Sequence, residues 1–156
     1  MALELTVEPV DRAGFAPFGT LVFEPGDATA PRNDRHAALS ALEVLSAPPP
    51  SGTSSHRIDL MERHAFSSQT FFPLEVASYL VVVCPAKPEG GPDVARSRAF
   101  EVPGDVVMQY HPDVWHAGIT ALGGQPGRFA MLIHRDGTDA DCEFVPVPPI
   151  EISLAP

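Results

Sequence analysis

Residues 60–73, LMERHAFSSQTFFP, decide how the rest of the chain is read. Glu62 and His64 stand two apart, so in an extended strand both side chains point to one face and Arg63 points to the other. Ser67-Ser68 supplies a turn, and the chain resumes as Gln69-Thr70-Phe71-Phe72 before Pro73 ends it. Two polar side chains with ligand capacity, and a third just past a turn, make a poor simple core. A matching segment comes much later, YHPDVWH at residues 110–116. The two segments are expected to close one pocket, and the chemistry is expected there.

Outward from that stretch, strand signals recur with turn punctuation. Leu3, Leu5 and Val7 alternate with Glu4, Thr6 and Glu8, the pattern of a half-buried strand. Asp11 is placed to cap a short helical turn leading to Phe15 and Phe18, and Gly19 then releases the chain into Leu21-Val22-Phe23. Residues 37–45 suit a strand or a short helix, with strand preferred. Residues 56–64 and 69–72 follow, then 77–83, an apolar run suited to a central, two-sided strand. Further strands are expected over 95–102, 106–110, 114–120 and 129–133. Pro103-Gly104-Asp105 is read as a turn, and Gly123 to Gly127 (GGQPG) as a hairpin turn. A last strand is expected over 142–147, with residues 148–156 laid across the surface or a partner. Frequent short strands and many turns describe a sandwich or barrel.

Composition bounds the function. The 156 residues are of single-domain size, 1–156, and 44% hydrophobic content can supply one core. Eighteen Pro and 12 Gly favour many short elements over a helical bundle. Ten basic residues, of which Lys87 is the sole Lys, face 20 acidic ones for a net charge of −10. Such a chain is repelled by nucleic acid and by anionic membrane, and neither is an expected partner. A few Arg in a pocket can still outweigh a distant surface field, so a small anionic substrate stays open. Cys84 and Cys142 have no spacing of a disulfide framework or zinc ribbon, and Cys84 reads as a core thiol. MALELTVEPV has neither a basic region nor a long apolar run, so no secretory signal is expected and the cytoplasm is.

The register Glu62-x-His64-x4-Gln69, then Pro103-Gly104-Asp105 and finally His116, resembles the two motifs of cupin jelly-roll barrels. There, His-x-His-x(3,4)-Glu is followed by a turn and a further His. The expected fold is accordingly all-β, a cupin-type jelly-roll β-barrel with short helical turns. One carboxylate, two imidazoles and an amide oxygen, from Glu62, His64, His116 and Gln69, form a reasonable set for a divalent first-row ion. The same side chains would also serve as a hydrogen-bonded polar lining of the barrel mouth.

ERHAFSSQTFFPL and YHPDVWHAGITAL further resemble the ureidoglycolate lyase family, also called ureidoglycolate hydrolase, whose members read approximately ERHPxGSQxFxPL and then NYxxxxWHHPL. The opening VEPVDRAGFAPFGTLV and the later IHRDGTDADCEFVPVP resemble the same family, so the likeness covers most of the chain. It implies a cytoplasmic homodimeric cupin and carbon–nitrogen lyase that splits ureidoglycolate into glyoxylate and urea in allantoin catabolism, part of purine metabolism. It also implies a divalent metal ion of the nickel, zinc or manganese type. Matching positions are Glu62, Arg63, His64, Gln69, Phe71, Pro73, Tyr110, Trp115, His116, Arg135 and Gly137. Ala65, Ser67 and Ala117-Gly118 depart from the pattern, and Asn33 and Arg35 are the candidates for an early Asn and Arg.

For that reaction His64 and His116 suit metal ligation, Glu62 ligand or base, and Gln69 ligand or contact to the urea group. Arg135 is preferred over Arg63 for the substrate carboxylate, because strand parity turns Arg63 away from Glu62 and His64. Tyr110 and His111 are candidate proton donors, and Trp115 and Phe71 either line the substrate or pack in the core. Two other readings use the same residues: a non-catalytic cupin that binds a small carboxylate, and a cupin metalloenzyme such as an oxygenase.

Overall fold

The computed structural model describes residues 1–155. In order the chain forms β1 (Leu3–Pro9), α1 (Arg12–Phe15), β2 (Gly19–Val22), β3 (Leu39–Ala47), β4 (Ser55–His64), β5 (Gln69–Glu75) and β6 (Ser78–Cys84). A 3-10 turn (Val94–Arg96) leads to β7 (Arg98–Pro103), β8 (Val107–Tyr110), β9 (Trp115–His116), β10 (Thr120–Leu122), β11 (Gly127–Arg135) and β12 (Cys142–Ser153). Asp11 caps α1 as expected, its carboxylate accepting from Gly14 N at 2.7 Å.

Seven strands hydrogen-bond in the order β10-β6-β7-β1-β12-β4-β9, and β9 also pairs with β6, so six of them close into a barrel. The other five form a sheet, β2-β8-β5-β11-β3. The all-β, cupin-type expectation is met. β6 is the wall common to both halves. Leu80, Val82 and Cys84 point into the ring beside Met61, Trp115, Ile150 and Ile152. Tyr79, Val81 and Val83 point out, against Phe15, Phe71, Phe100, Tyr110 and Phe129. A strand buried on both faces has to be apolar at every position, which is why SYLVVVC lacks alternation. Each such buried side chain contributes on the order of 1.5–3 kcal/mol.

Gly19 is required by a close approach: a Cβ there would lie 2.0 Å from the Gln109 carbonyl oxygen across the β2–β8 ladder. Several local expectations are corrected. Pro73 does not end β5; it sits opposite Phe129 at a register shift, where a missing N–H is tolerated. Residues 123–127 do not close a hairpin, because β10 pairs with β6 in the ring while β11 pairs with β3 and β5. Residues 114–120 split into β9 and β10, and 95–102 begins as the 3-10 turn. The tail is strand as far as Ser153, with Ile150 and Ile152 fully buried in the ring. Pro148 and Pro149 do not end that strand, because they fall within the register shift between Pro146 and Ile150. The end of the tail, Pro156, lies outside the described residues. Among the described residues no helix is long and apolar enough to cross a membrane.

Candidate active site

β4 inserts Met61 into the ring and, by alternation, turns Glu62 outward toward the five-stranded sheet. His64 shares that outward face. Glu62 is paired across the ladder with His116 of β9, and His64 with Cys142 of β12. Strand pairing therefore gathers four side chains from three strands. His116 Nε2 lies 3.5 Å from Glu62 Oε1, His64 Nε2 lies 3.9 Å from Glu62 Oε2, and Cys142 Sγ lies 3.9 Å from the same oxygen. The two imidazoles are near-parallel, with centroids 5.8 Å apart.

Glu62, His64 and Cys142 open onto a cavity of about 480 Å³, which His116 does not line. Gln69, Met131 and Ile133 from the five-stranded sheet, and Arg35, His134, Arg135 and Asp141, complete its walls. Tyr110 stands behind His116, stacked on it at 4.0 Å between centroids. Asp141 is buried and accepts from Phe66 N at 2.6 Å and from the Ser67 hydroxyl; its Oδ2 lies 3.8 Å from His64 Nδ1. Arg35 donates to Asp136 at 2.8 Å and lies 3.6 Å from Asp141.

The protonation pattern follows from the contacts. His116 Nδ1 is 3.0 Å from the Val114 carbonyl oxygen, which can only accept, so Nδ1 carries the hydrogen. Nε2 then faces the Glu62 carboxylate, where a proton or a cation reconciles the two. At 3.5 Å the contact is too long for a strong hydrogen bond. Burial alone would raise the Glu62 carboxyl, but the adjacent imidazoles of His116 and, less strongly, His64 outweigh it and hold it below its ordinary value. Burial, then the charge of His116, lowers His64. Burial and the Glu62 charge raise Tyr110 well above its ordinary value. Burial, then the charges of Glu62 and Asp141, pushes Cys142 up to about 11.

The same atoms answer whether a metal ion would fit. His64 Nε2, His116 Nε2 and Gln69 Oε1 are buried without a hydrogen-bond partner among the described residues, and the first two face Glu62. One ring nitrogen on a fixed acceptor and the other left free is the usual state of a metal-ligating histidine. Glu62, His64 and Cys142 offer ligand atoms all within 4.8 Å of one another. The residues fit an ion.

Of the residues singled out in the sequence, the structure brings together Glu62, His64, His116, Gln69 and Arg135, with Tyr110 behind them. It sets four apart. Arg63 turns to the opposite face, pairing with Glu143 and Asp113 and lying over the Trp115 ring. Trp115 fills the ring, its Nε1 donating to the Gly90 carbonyl oxygen. Phe71 packs edge-on against Tyr110 and Phe129. His111 Nε2 lies 3.0 Å from the Ala16 carbonyl oxygen, beside α1. Sequence reasoning did not include Cys142, Asp141 or His134. The available signal for Cys142 was the β4–β12 register alone, which adjacency in sequence does not reveal.

The fold and the site together define a cupin-type barrel with a carboxylate–imidazole–thiol cluster at its mouth. The ureidoglycolate lyase family profile matches residues 27–153. Curated ureidoglycolate lyases resemble the chain over most of its length: that of Rhizobium etli (strain CIAT 652) is 30% identical, covering 89% of each chain. That of Burkholderia mallei (strain NCTC 10229) is 35% identical over 76% of each chain, and that of Brucella melitensis biotype 2 is 34% identical over 89% of this chain and 87% of its own. The chain belongs to the ureidoglycolate lyase family.

Proposed function

We propose that the chain cleaves ureidoglycolate into glyoxylate and urea, as a carbon–nitrogen lyase of allantoin catabolism. The observation that carries this reading is the convergence of His64 Nε2 and His116 Nε2 on the Glu62 carboxylate, in a chain of this family. Ureidoglycolate has one carbon that bears a hydroxyl, a carboxylate and a urea nitrogen. Cleavage needs the hydroxyl proton removed, the C–N bond broken and a proton delivered to the departing nitrogen.

Held by Glu62, His64 and His116, a divalent ion of the nickel, zinc or manganese type would polarise the substrate's carboxylate and hydroxyl oxygens as a Lewis acid. Arg135 binds the carboxylate with its fork. Its present partner is Glu43 at 2.8 Å, in an exposed pair worth little, so a substrate can take its place. Gln69 presents a free amide oxygen to the urea N–H groups. Glu62, kept ionised by the two imidazoles, accepts the hydroxyl proton as the carbonyl forms and returns it to the leaving nitrogen. Tyr110 keeps its proton and holds the His116 ring from behind.

The test is direct. The purified chain, supplied with zinc, nickel or manganese, should release urea and glyoxylate in equal amounts well above the spontaneous rate. Release at the spontaneous rate with all three metals refutes the assignment.

A homodimer and a cytoplasmic setting belong to the same proposal. Leu42 and Val44 are exposed on the outer face of β3, an edge strand, and would be covered by a second copy. Light scattering that returns a monomer mass refutes the dimer. Cys84 and Cys142 are both free thiols, which suits a reducing compartment.

A further inference from the structure

We propose that Cys142 is a sulfur ligand of the ion held by Glu62, His64 and His116, and that it tunes this site to thiophilic ions such as zinc, cobalt or nickel and against magnesium and manganese. This rests on the reading that the cluster holds a divalent ion.

Cys142 is the first residue of β12 and lies directly opposite His64 in the β12–β4 ladder. Side chains of such a pair share a face with Cβ atoms about 4.5–5.5 Å apart. The thiol therefore reaches the same space as the imidazole. With metal–nitrogen and metal–oxygen bonds of about 2.0–2.1 Å and metal–sulfur bonds of about 2.3 Å, a tetrahedral site has ligand-to-ligand edges of about 3.3–3.6 Å. Glu62 Oε2 lies 3.9 Å from both His64 Nε2 and Cys142 Sγ, and the ligand atoms of these three residues all lie within 4.8 Å of one another. His116 Nε2 lies 3.5 Å from the other oxygen, Oε1. Two edges of the Glu62–His64–Cys142 face are thus within a few tenths of an ångström of those of a bound site.

An independent observation marks the same space as a ligand position. His64, 6% exposed, faces it with a partnerless Nε2, and His116, 2% exposed, turns its own partnerless Nε2 to the Glu62 carboxylate. Gln69, whose Nε2 donates to Met131 Sδ at 3.1 Å, keeps a free Oε1 for the urea group in the reading above. On binding, the Cys142 S–H bond breaks, its proton passes to solvent, the sulfur–metal bond forms and a metal-bound water leaves. Thiolate selects the softer ions, whereas a set of carboxylate, imidazole and amide oxygen discriminates less.

Cobalt(II) added to the reduced full-length chain reports the donor atoms. The expected spectrum has visible d–d bands and a near-ultraviolet sulfur-to-cobalt charge-transfer band, and Cys142→Ser keeps the former while losing the latter. Visible bands without the near-ultraviolet band in the unaltered chain overturn the sulfur ligand and leave the ion site standing. Absence of both overturns the ion site and the sulfur ligand together. A second measurement needs no variant. Alkylation of Cys142 by iodoacetamide, with fully buried Cys84 as the internal reference, should slow at least ten-fold with zinc and little with manganese. Equal rates with and without zinc overturn the proposal.

Discussion

Glu62 and His116 are cross-strand partners on β4 and β9, and their facing atoms, Oε1 and Nε2, are 3.5 Å apart with the His116 hydrogen committed to the far side of its ring. Glu62→Gln removes the negative charge that the Nε2 atoms of His116 and His64 face, and with it the proposed base. Turnover should fall by about 10²–10⁴-fold, read as urea release, while the isosteric amide leaves the far-ultraviolet circular dichroism unchanged.

Asp141 bears on His64 without lining up with the reaction itself. Asp141→Asn weakens the hold on Phe66 N and Ser67 and removes the charge 3.8 Å from His64 Nδ1. Metal affinity should drop about 10–100-fold in a chelator competition, the range seen when such supporting carboxylates are lost.

The two arginines make opposite predictions. Arg135→Ala should raise KM at least ten-fold with a smaller effect on kcat, since it removes a carboxylate contact made before the reaction. Arg63→Ala should leave KM unchanged, because Arg63 is engaged with Glu143 and Asp113 on the other face. Equal KM values for both variants would remove Arg135 from the site.

Acid should destabilise the metal-free chain in two steps. His64 is lowered in the folded state, so its contribution is complete above the unfolded value of about 6.5 and is lost as pH falls through the folded value. Glu62 is lowered too, and its contribution fades below about 4.5, the carboxyl's ordinary value. Thermal midpoints should fall from pH 7 to pH 5, and His64→Asn should flatten that first decline.

Met61→Ala tests the scaffold rather than the chemistry. Met61, next to Glu62 in sequence, is wholly buried in the ring. Its truncation should lower the unfolding free energy by about 2–5 kcal/mol in a urea titration.

What was legible in the sequence was what depends on spacing within one strand. The two-residue interval fixed the common face of Glu62 and His64, the solid apolar run of β6 announced a strand buried twice, and Asp11 announced its cap. Parity also held the answer for Trp115: one residue from His116, it had to face the other way, into the ring. Pairing across strands was not legible. Cys142 meets His64 only because β12 registers against β4, and the prolines that suggested a surface tail are absorbed at a register shift. The sheet change between β10 and β11 was hidden by a turn sequence that suits a hairpin equally well.

β9 is the seam of the barrel. Its two residues bond to β4 on one side and to β6 on the other, and without them the ring is an open sheet. Trp115 plugs the seam from within while His116 faces outward, so closing the ring and bringing the second imidazole to Glu62 are one event. A nascent or damaged chain whose barrel has not zipped shut lacks the second imidazole beside Glu62. The second imidazole reaches the site only when folding of the barrel is finished.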